Sequence, residues 1–194
     1  FAHIDDLHDV TKGISKLLAD DGIFVFEVSY LKQVITNNLF DTIYHEHLSY
    51  HTLIPLLTFF DNNDMTVIDC EEVDTHGGSI RVVVQKKNGP KPVSDSVRNL
   101  INIELKLGLN TIDPILSLSN KIKELNEKLN SLVHDIKNEG LQLIGYGAPA
   151  KATTLLYEFE LSDQIDYIID DNPLKQGLYS PGMHIPIIAI VIGM

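Results

Sequence analysis

The run from Leu141 to Asp170 constrains the fold most. Leu141 to Gly145 is strand-like and leads into Gly145-Tyr146-Gly147-Ala148-Pro149-Ala150. A helix is expected from about Pro149 to Phe159, and Ile165 to Asp170 reads as a second strand. Strand, glycine turn, helix and strand within about 30 residues make a βαβ unit, which places the chain in the α/β class.

The rest of the chain agrees with that class. Leu7, Val10, Ile14, Leu17 and Leu18 fall at helical spacing behind Asp5 and Asp6, and Asp21-Gly22 ends that helix. Ile23 to Val28 is a short β-rich run that reads as a buried strand, with Phe1 to Ile4 expected as the end of the strand before it. Tyr30 to His51 is less regular. Leu53 to Phe60 reads as a helix with Thr52 as its N-cap and Pro55 in its first turn. Met65 to Val73 and Ser79 to Lys86 are strand-like and, being joined by so short a connection, are expected to pair antiparallel. Lys86 to Pro92 is a polar boundary. Val93 to Asn138 is expected to be helical with one break near Asn110 to Pro114, its second half an amphipathic packing helix.

Composition excludes several functions. Fifteen basic against 27 acidic residues leave a net charge of −12 over 194 residues. A chain this acidic is a poor partner for a nucleic-acid backbone or an anionic membrane surface. The longest apolar run, Ile185 to Ile192, is too short to span a bilayer and contains Pro186. Cys70 is the one cysteine, so a disulfide framework or a cysteine-rich zinc site within this chain is excluded. No hydrophobic leader is visible, and a reducing cytoplasmic location is expected. The apolar ends, Phe1-Ala2-His3-Ile4 and Ile190-Val191-Ile192-Gly193-Met194, read as edges of a longer chain.

Three constellations could carry chemistry. Tyr44 to His51 packs three histidines, one glutamate and two tyrosines into eight residues. His47 and His51 would share a face if helical, yet H-E-x-x-H is not met because Ser49 stands at the second histidine position. Hydrogen-bonded residues in a half-buried loop remain one reading. Metal binding, with no third ligand evident, is a second, and acid–base work is the third: Tyr44, Glu46 and His47 suit proton abstraction beside a carbonyl. Gly145-x-Gly147-x-x-Ala150, with Asp170 closing the next strand, resembles the dinucleotide fingerprint, and Lys151, Thr153 and Thr154 could help hold a phosphate. A tight turn with no ligand is the alternative. In His76-Gly77-Gly78-Ser79-Ile80-Arg81 the paired glycines permit a turn, and Ser79 and Arg81 could face a polar ligand.

Taken in order, "FAHIDDL", "LLADDGIFVFEVSYL", "FDTIYHEHLSYHTL", "THGGSIRV", "IGYGAPAKATTLL" and "IDDNPLKQGLYSPGMHIPI" resemble one family over nearly the whole chain. These are the S-adenosylmethionine-dependent C-methyltransferases of nucleotide-linked keto-deoxysugars. The resemblance implies the C-terminal half of a class I methyltransferase sheet at 1–89, a helical connector at 90–138 and a Rossmann-like domain at 139–194, the last incomplete. A zinc-binding N-terminal domain and the main S-adenosylmethionine loop would lie before Phe1, so the cofactor site is incomplete here and zinc has no site in this chain. By the same resemblance His3, Tyr44, Glu46 and His47 are catalytic: His47 with Glu46 takes the proton, while Tyr44 and His3 steady the enolate oxygen. The sugar nucleotide would contact Ser79, Arg81, Gly147, Lys151, Asn172 and Lys175. The family usually reads closer to "GAAAKGNTLLN" where this chain has Ala152-Thr153-Thr154, which leaves the sugar and the nucleotide open.

Two other functions compete. A catalytically inactive nucleotide- or partner-binding module follows if the cofactor loop is lost, and half a sheet would expose an edge that a second copy or a partner covers. A nicotinamide-dependent oxidoreductase rests on Gly145 to Ala150 and Asp170 alone.

Overall fold

The computed structural model describes Phe1 and residues 3–75 and 77–190. Ala2, His76 and 191–194 lie outside these, and so do the parts of the first expected strand, the glycine turn and the apolar C-terminal end that fall on them. The described chain is α/β throughout and divides into two compact units. One joins Phe1–Leu39 to His45–Leu118, and the other joins Phe40–Tyr44 to the chain from Ser119 onward. No helix among the described residues is long and apolar enough to cross a membrane.

The first unit opens with α1 (Leu7–Leu17). The Asp6 carboxylate accepts the Asp9 N–H at 2.9 Å, satisfying one of the donors a helix start leaves unpaired. Strand β1 (Ile23–Ser29) follows, then the short helix α2 (Leu31–Thr36), which the sequence did not announce. Helix α3 (Leu53–Asp61) leads into β2 (Met65–Val73) and β3 (Ser79–Lys86). The sheet order is β1-β3-β2, antiparallel on both sides of β3, with a bulge in β2 between Val67 and Asp69. Helix α4 (Asp95–Lys106) follows, and the unit ends at Leu118, within the next helix.

Period-two alternation explains how this sheet buries one face. On β3, Ile80, Val82 and Val84 point into the core and are fully buried. They meet Leu53, Leu56 and Phe60 of α3 and Val97 and Leu100 of α4. Phe1 to Ile4 differs from expectation: its described residues carry no strand. The Ile4 N–H closes a turn on the Phe1 carbonyl at 3.3 Å. The Phe1 ring instead stacks on Phe26, centroids 4.5 Å apart, so ring burial and not strand pairing fixes this segment.

In the second unit, α5 (Asp113–Asn138) contributes Ile122, Leu129 and Val133 to a core with Leu156, Phe159, Ile168 and Ile187. Strands β4 (Ile144–Tyr146), β5 (Tyr167–Ile169) and β6 (Ile187–Ile188) form a parallel sheet in that order, with α6 (Ala152–Glu158) crossing over from β4 to β5. The βαβ unit is therefore present, with α6 starting at Ala152 and not at Pro149. A Cβ on Gly145 would stand 3.0 Å from the Ile168 Cγ1, so the approach of β4 to β5 favours glycine there. Gly147 has φ +87°, the left-handed region. A short 3-10 turn, Phe40–Thr42, also belongs to this unit: the Phe40 ring packs on Phe159 at 5.2 Å, and the Thr154 hydroxyl donates to the Ile43 carbonyl at 3.0 Å.

Candidate functional site

The histidine-rich run has no helix or strand from residue 43 to residue 50. His47 and His51 thus do not share a helical face. His51 forms a bridge with Tyr30, and its carbonyl accepts the Leu31 N–H at 2.9 Å. His3 and His47 meet edge to face, ring centroids 5.1 Å apart. The His47 Nδ1 lies 3.4 Å from the Tyr50 hydroxyl, at the long end of hydrogen bonding. Glu46 is exposed and His47 half-buried. His3, Glu46 and His47 belong to the first unit, and Tyr44, half-buried, to the second. Among the described residues no group of three or more His, Cys, Asp or Glu gathers as a metal site would require.

His51 is a different kind of histidine. Its Nε2 is buried with no hydrogen-bond partner among the described residues, and burial pulls its pKa down to about 4. An unfolded histidine titrates near about 6.5. Between these values the unfolded chain binds a proton that the folded chain refuses. His51 therefore costs stability as the pH falls from about 6.5 towards 4, by at most about 1.4 kcal/mol per pH unit. An NMR titration should show the His51 imidazole still neutral at about pH 5.5; a midpoint near 6.5 would contradict its burial.

Ser79 and Arg81 begin β3. Ser79 is buried and its hydroxyl donates to the Thr75 carbonyl at 3.2 Å. Arg81 stands in register between Glu27 on β1 and Glu71 on β2. Its guanidinium pairs with Glu27 at 2.9 Å and Glu71 at 2.5 Å, on the sheet face away from the core. Glu27 also accepts from the Thr75 hydroxyl. Cys70 is a core residue; burial pushes its thiol up to about 11, so it is no nucleophile at neutral pH.

The remaining candidates converge on the glycine turn after β4. The Asp170 carboxylate accepts the Ala148 N–H at 2.7 Å and the Asn172 N–H at 2.9 Å, and it pairs with Lys175 at 3.2 Å. Those bonds, the Ala148 N–H first, hold its pKa below the ordinary aspartate value. Lys175 also donates to the Ala148 carbonyl at 2.8 Å, and the Asn172 side chain accepts the Leu174 N–H at 3.0 Å. The acidic residue of the fingerprint pattern is thus turned into its own loop, where it clasps the turn. Gly147 and Lys151 instead line a cavity of about 290 Å³, with Pro149, Leu155 and Ile168 on its walls. Lys151 pairs there with Asp41 at 3.2 Å. Asn172 and Lys175 are not among the lining residues.

Three residues the sequence reading did not single out for a role bear on these groups. Tyr50 touches His47, Asp41 pairs with Lys151, and Glu104 is fully buried with its carboxylate on Tyr30 and on the start of α3. Glu104 carried no local signal, because its partners lie 50 or more residues away.

Residues 74–190 match the family described as the C-methyltransferase C-terminal domain. The chain is also similar to C-methyltransferase NovU of Streptomyces niveus, with 38% identity over 188 residues. That alignment covers 96% of this chain and 45% of NovU, so the chain spans less than half the length of this relative.

Proposed function

Because the chain belongs to the C-methyltransferase C-terminal domain family, we propose that it is part of an S-adenosylmethionine-dependent C-methyltransferase acting on a nucleotide-linked keto-deoxysugar. The observation that carries this reading is the grouping of His3, His47 and Tyr50 beside Glu46 on a run without helix or strand. In the same reading 1–89 is the end of a class I methyltransferase sheet and 139–194 a Rossmann-like substrate domain in a cytoplasmic enzyme; the connector 90–138 shares its helices between the two units, α4 with the first core and α5 with the second.

The chemistry follows from the acidity of a C–H bond beside a ketone. When the His47 Nδ1–H donates to the Tyr50 hydroxyl oxygen, Nε2 carries the lone pair a base requires. His47 takes the proton, the C–H electron pair moves into an enolate, and Glu46 favours the imidazolium that forms. Tyr44 and His3 donate to the enolate oxygen, where negative charge develops. S-adenosylmethionine, when bound, would supply an electrophilic methyl group on sulfur to the enolate carbon, leaving as S-adenosylhomocysteine. No residue of this chain is assigned to holding that donor.

The cavity at Gly147 and Lys151 supports a substrate role in the second unit. Its volume sits just under the usual range for small-molecule sites, which suits one part of a sugar nucleotide. Lys151, half-exposed, would exchange Asp41 for a phosphate oxygen. Ser79 and Arg81 in the first unit, and Asn172 and Lys175 in the second, are the other residues proposed for substrate contact, outside this cavity. The test is methyl transfer from labelled S-adenosylmethionine by the complete protein. A keto-deoxysugar nucleotide should be methylated on carbon, and its alcohol counterpart, which cannot form the enolate, should not. Equal labelling of both would defeat the enolate reading.

A further inference from the structure

Glu104 is a carboxylate at zero exposure in the core of the first unit. Burying such a group is costly unless its oxygens are fully engaged. Three donors engage it. The Tyr30 hydroxyl donates to Oε1 at 2.8 Å, the Leu53 N–H donates to Oε1 at 2.5 Å, and the Ile54 N–H donates to Oε2 at 3.0 Å. Leu53 and Ile54 open α3, so Glu104 satisfies N–H groups that a helix start leaves unpaired. Thr52 stands at the N-cap position but makes no side-chain capping bond. A helix of nine residues does not need a buried carboxylate from another helix merely to be capped, since Thr52 could do it locally.

What the carboxylate adds is a connection. Tyr30 is itself fully buried and follows β1 directly. Burial, and then the Glu104 hydrogen bond, push its phenol well above the ordinary range, so it remains a donor. Tyr30 also bridges to His51, and the Leu31 N–H holds the His51 carbonyl. Residues 51–54 are thus gripped from both sides, by the Tyr30 backbone and by Glu104. That stretch is the C-terminal root of the run carrying His45, Glu46 and His47. Tyr50, one residue from the gripped stretch, touches the His47 imidazole.

We infer that Glu104 is a positioning residue for His47, holding the root of its run to the sheet through Tyr30 and the first turn of α3. The inference rests on the proposed role of His47 as base. It is tested on the complete protein by methyl-transfer kinetics of Glu104→Gln, Tyr30→Phe and His47→Ala. Glu104→Gln keeps one acceptor oxygen and replaces the other by an amide NH2, which cannot accept. It should lower kcat about 10- to 100-fold, move the acid limb of the kcat–pH profile and leave the KM for S-adenosylmethionine within about twofold. Tyr30→Phe removes one of the three bonds and should lower kcat about 3- to 10-fold. A wild-type kcat and pH profile in folded Glu104→Gln overturns the inference. Should that variant not fold, a wild-type kcat in Tyr30→Phe overturns it instead. A full rate in His47→Ala overturns both this inference and the proposed function. A slow His47→Ala beside an unchanged Glu104→Gln overturns this inference alone.

Discussion

Replacing His47 by alanine in the complete protein is expected to lower kcat by about 10²- to 10⁴-fold, the usual contribution of one general base. In the proposed reaction the proton to be removed is carbon-bound, and water is a poor substitute for an imidazole held beside it. Glu46 is exposed and cannot by itself present a desolvated base. His3 lies edge to face with His47 and could partly replace it, so a loss of only about 10²-fold would point to His3. The KM for the methyl donor should hardly move, because His47 is assigned to the transition state and not to donor binding. Steady-state kinetics on the folded variant check this, and a kcat within about threefold of wild type would remove His47 from the chemistry.

The second large effect is on stability. Phe60 is fully buried at the end of α3. Its ring centroid lies 5.5 Å from that of Phe26, 5.2 Å from Phe59 and 5.9 Å from Phe1. Phe60→Ala removes a ring from between the helix and the sheet, and backbone held by the β1-β3-β2 ladder cannot collapse to fill the gap. A loss of about 3–5 kcal/mol is expected. Two units need not unfold together, so the measurement is the denaturant midpoint of the transition reported by the first unit. A loss below about 1 kcal/mol would mean that this core is not packed as described.

Much of the fold was legible because its signals are local. The α1 periodicity, the β-rich run at Ile23, the pairing of β2 with β3 across a short turn and the βαβ unit around Gly145 each lie within a few tens of residues. The strand expected at Phe1 to Ile4 failed because apolar residues beside an aromatic cluster can be buried without any ladder. Helix α2 was hidden inside a stretch whose polar content obscures the period, and β6 is two residues long. The Tyr44–His51 run stands out by its composition, and the proposed proton chemistry starts from it. Its supports do not stand out. Glu104 reaches the start of α3 across 51 residues of sequence, and Asp41 pairs with Lys151 across a still longer stretch. Long-range hydrogen bonds leave no period in the sequence. Asp170 was visible as an acidic residue closing a strand, but its inward turn onto the Ala148 N–H is set by three-dimensional register.

The central claim is that the His47 run removes a proton from carbon beside a ketone. Deuterium uptake from heavy water into the keto-sugar nucleotide, with S-adenosylmethionine withheld, reads that step directly. The complete wild-type protein should exchange the hydrogen on the carbon next to the carbonyl, and His47→Ala should slow the enzyme-dependent exchange by about 10²- to 10⁴-fold. Undiminished exchange in His47→Ala would contradict the account.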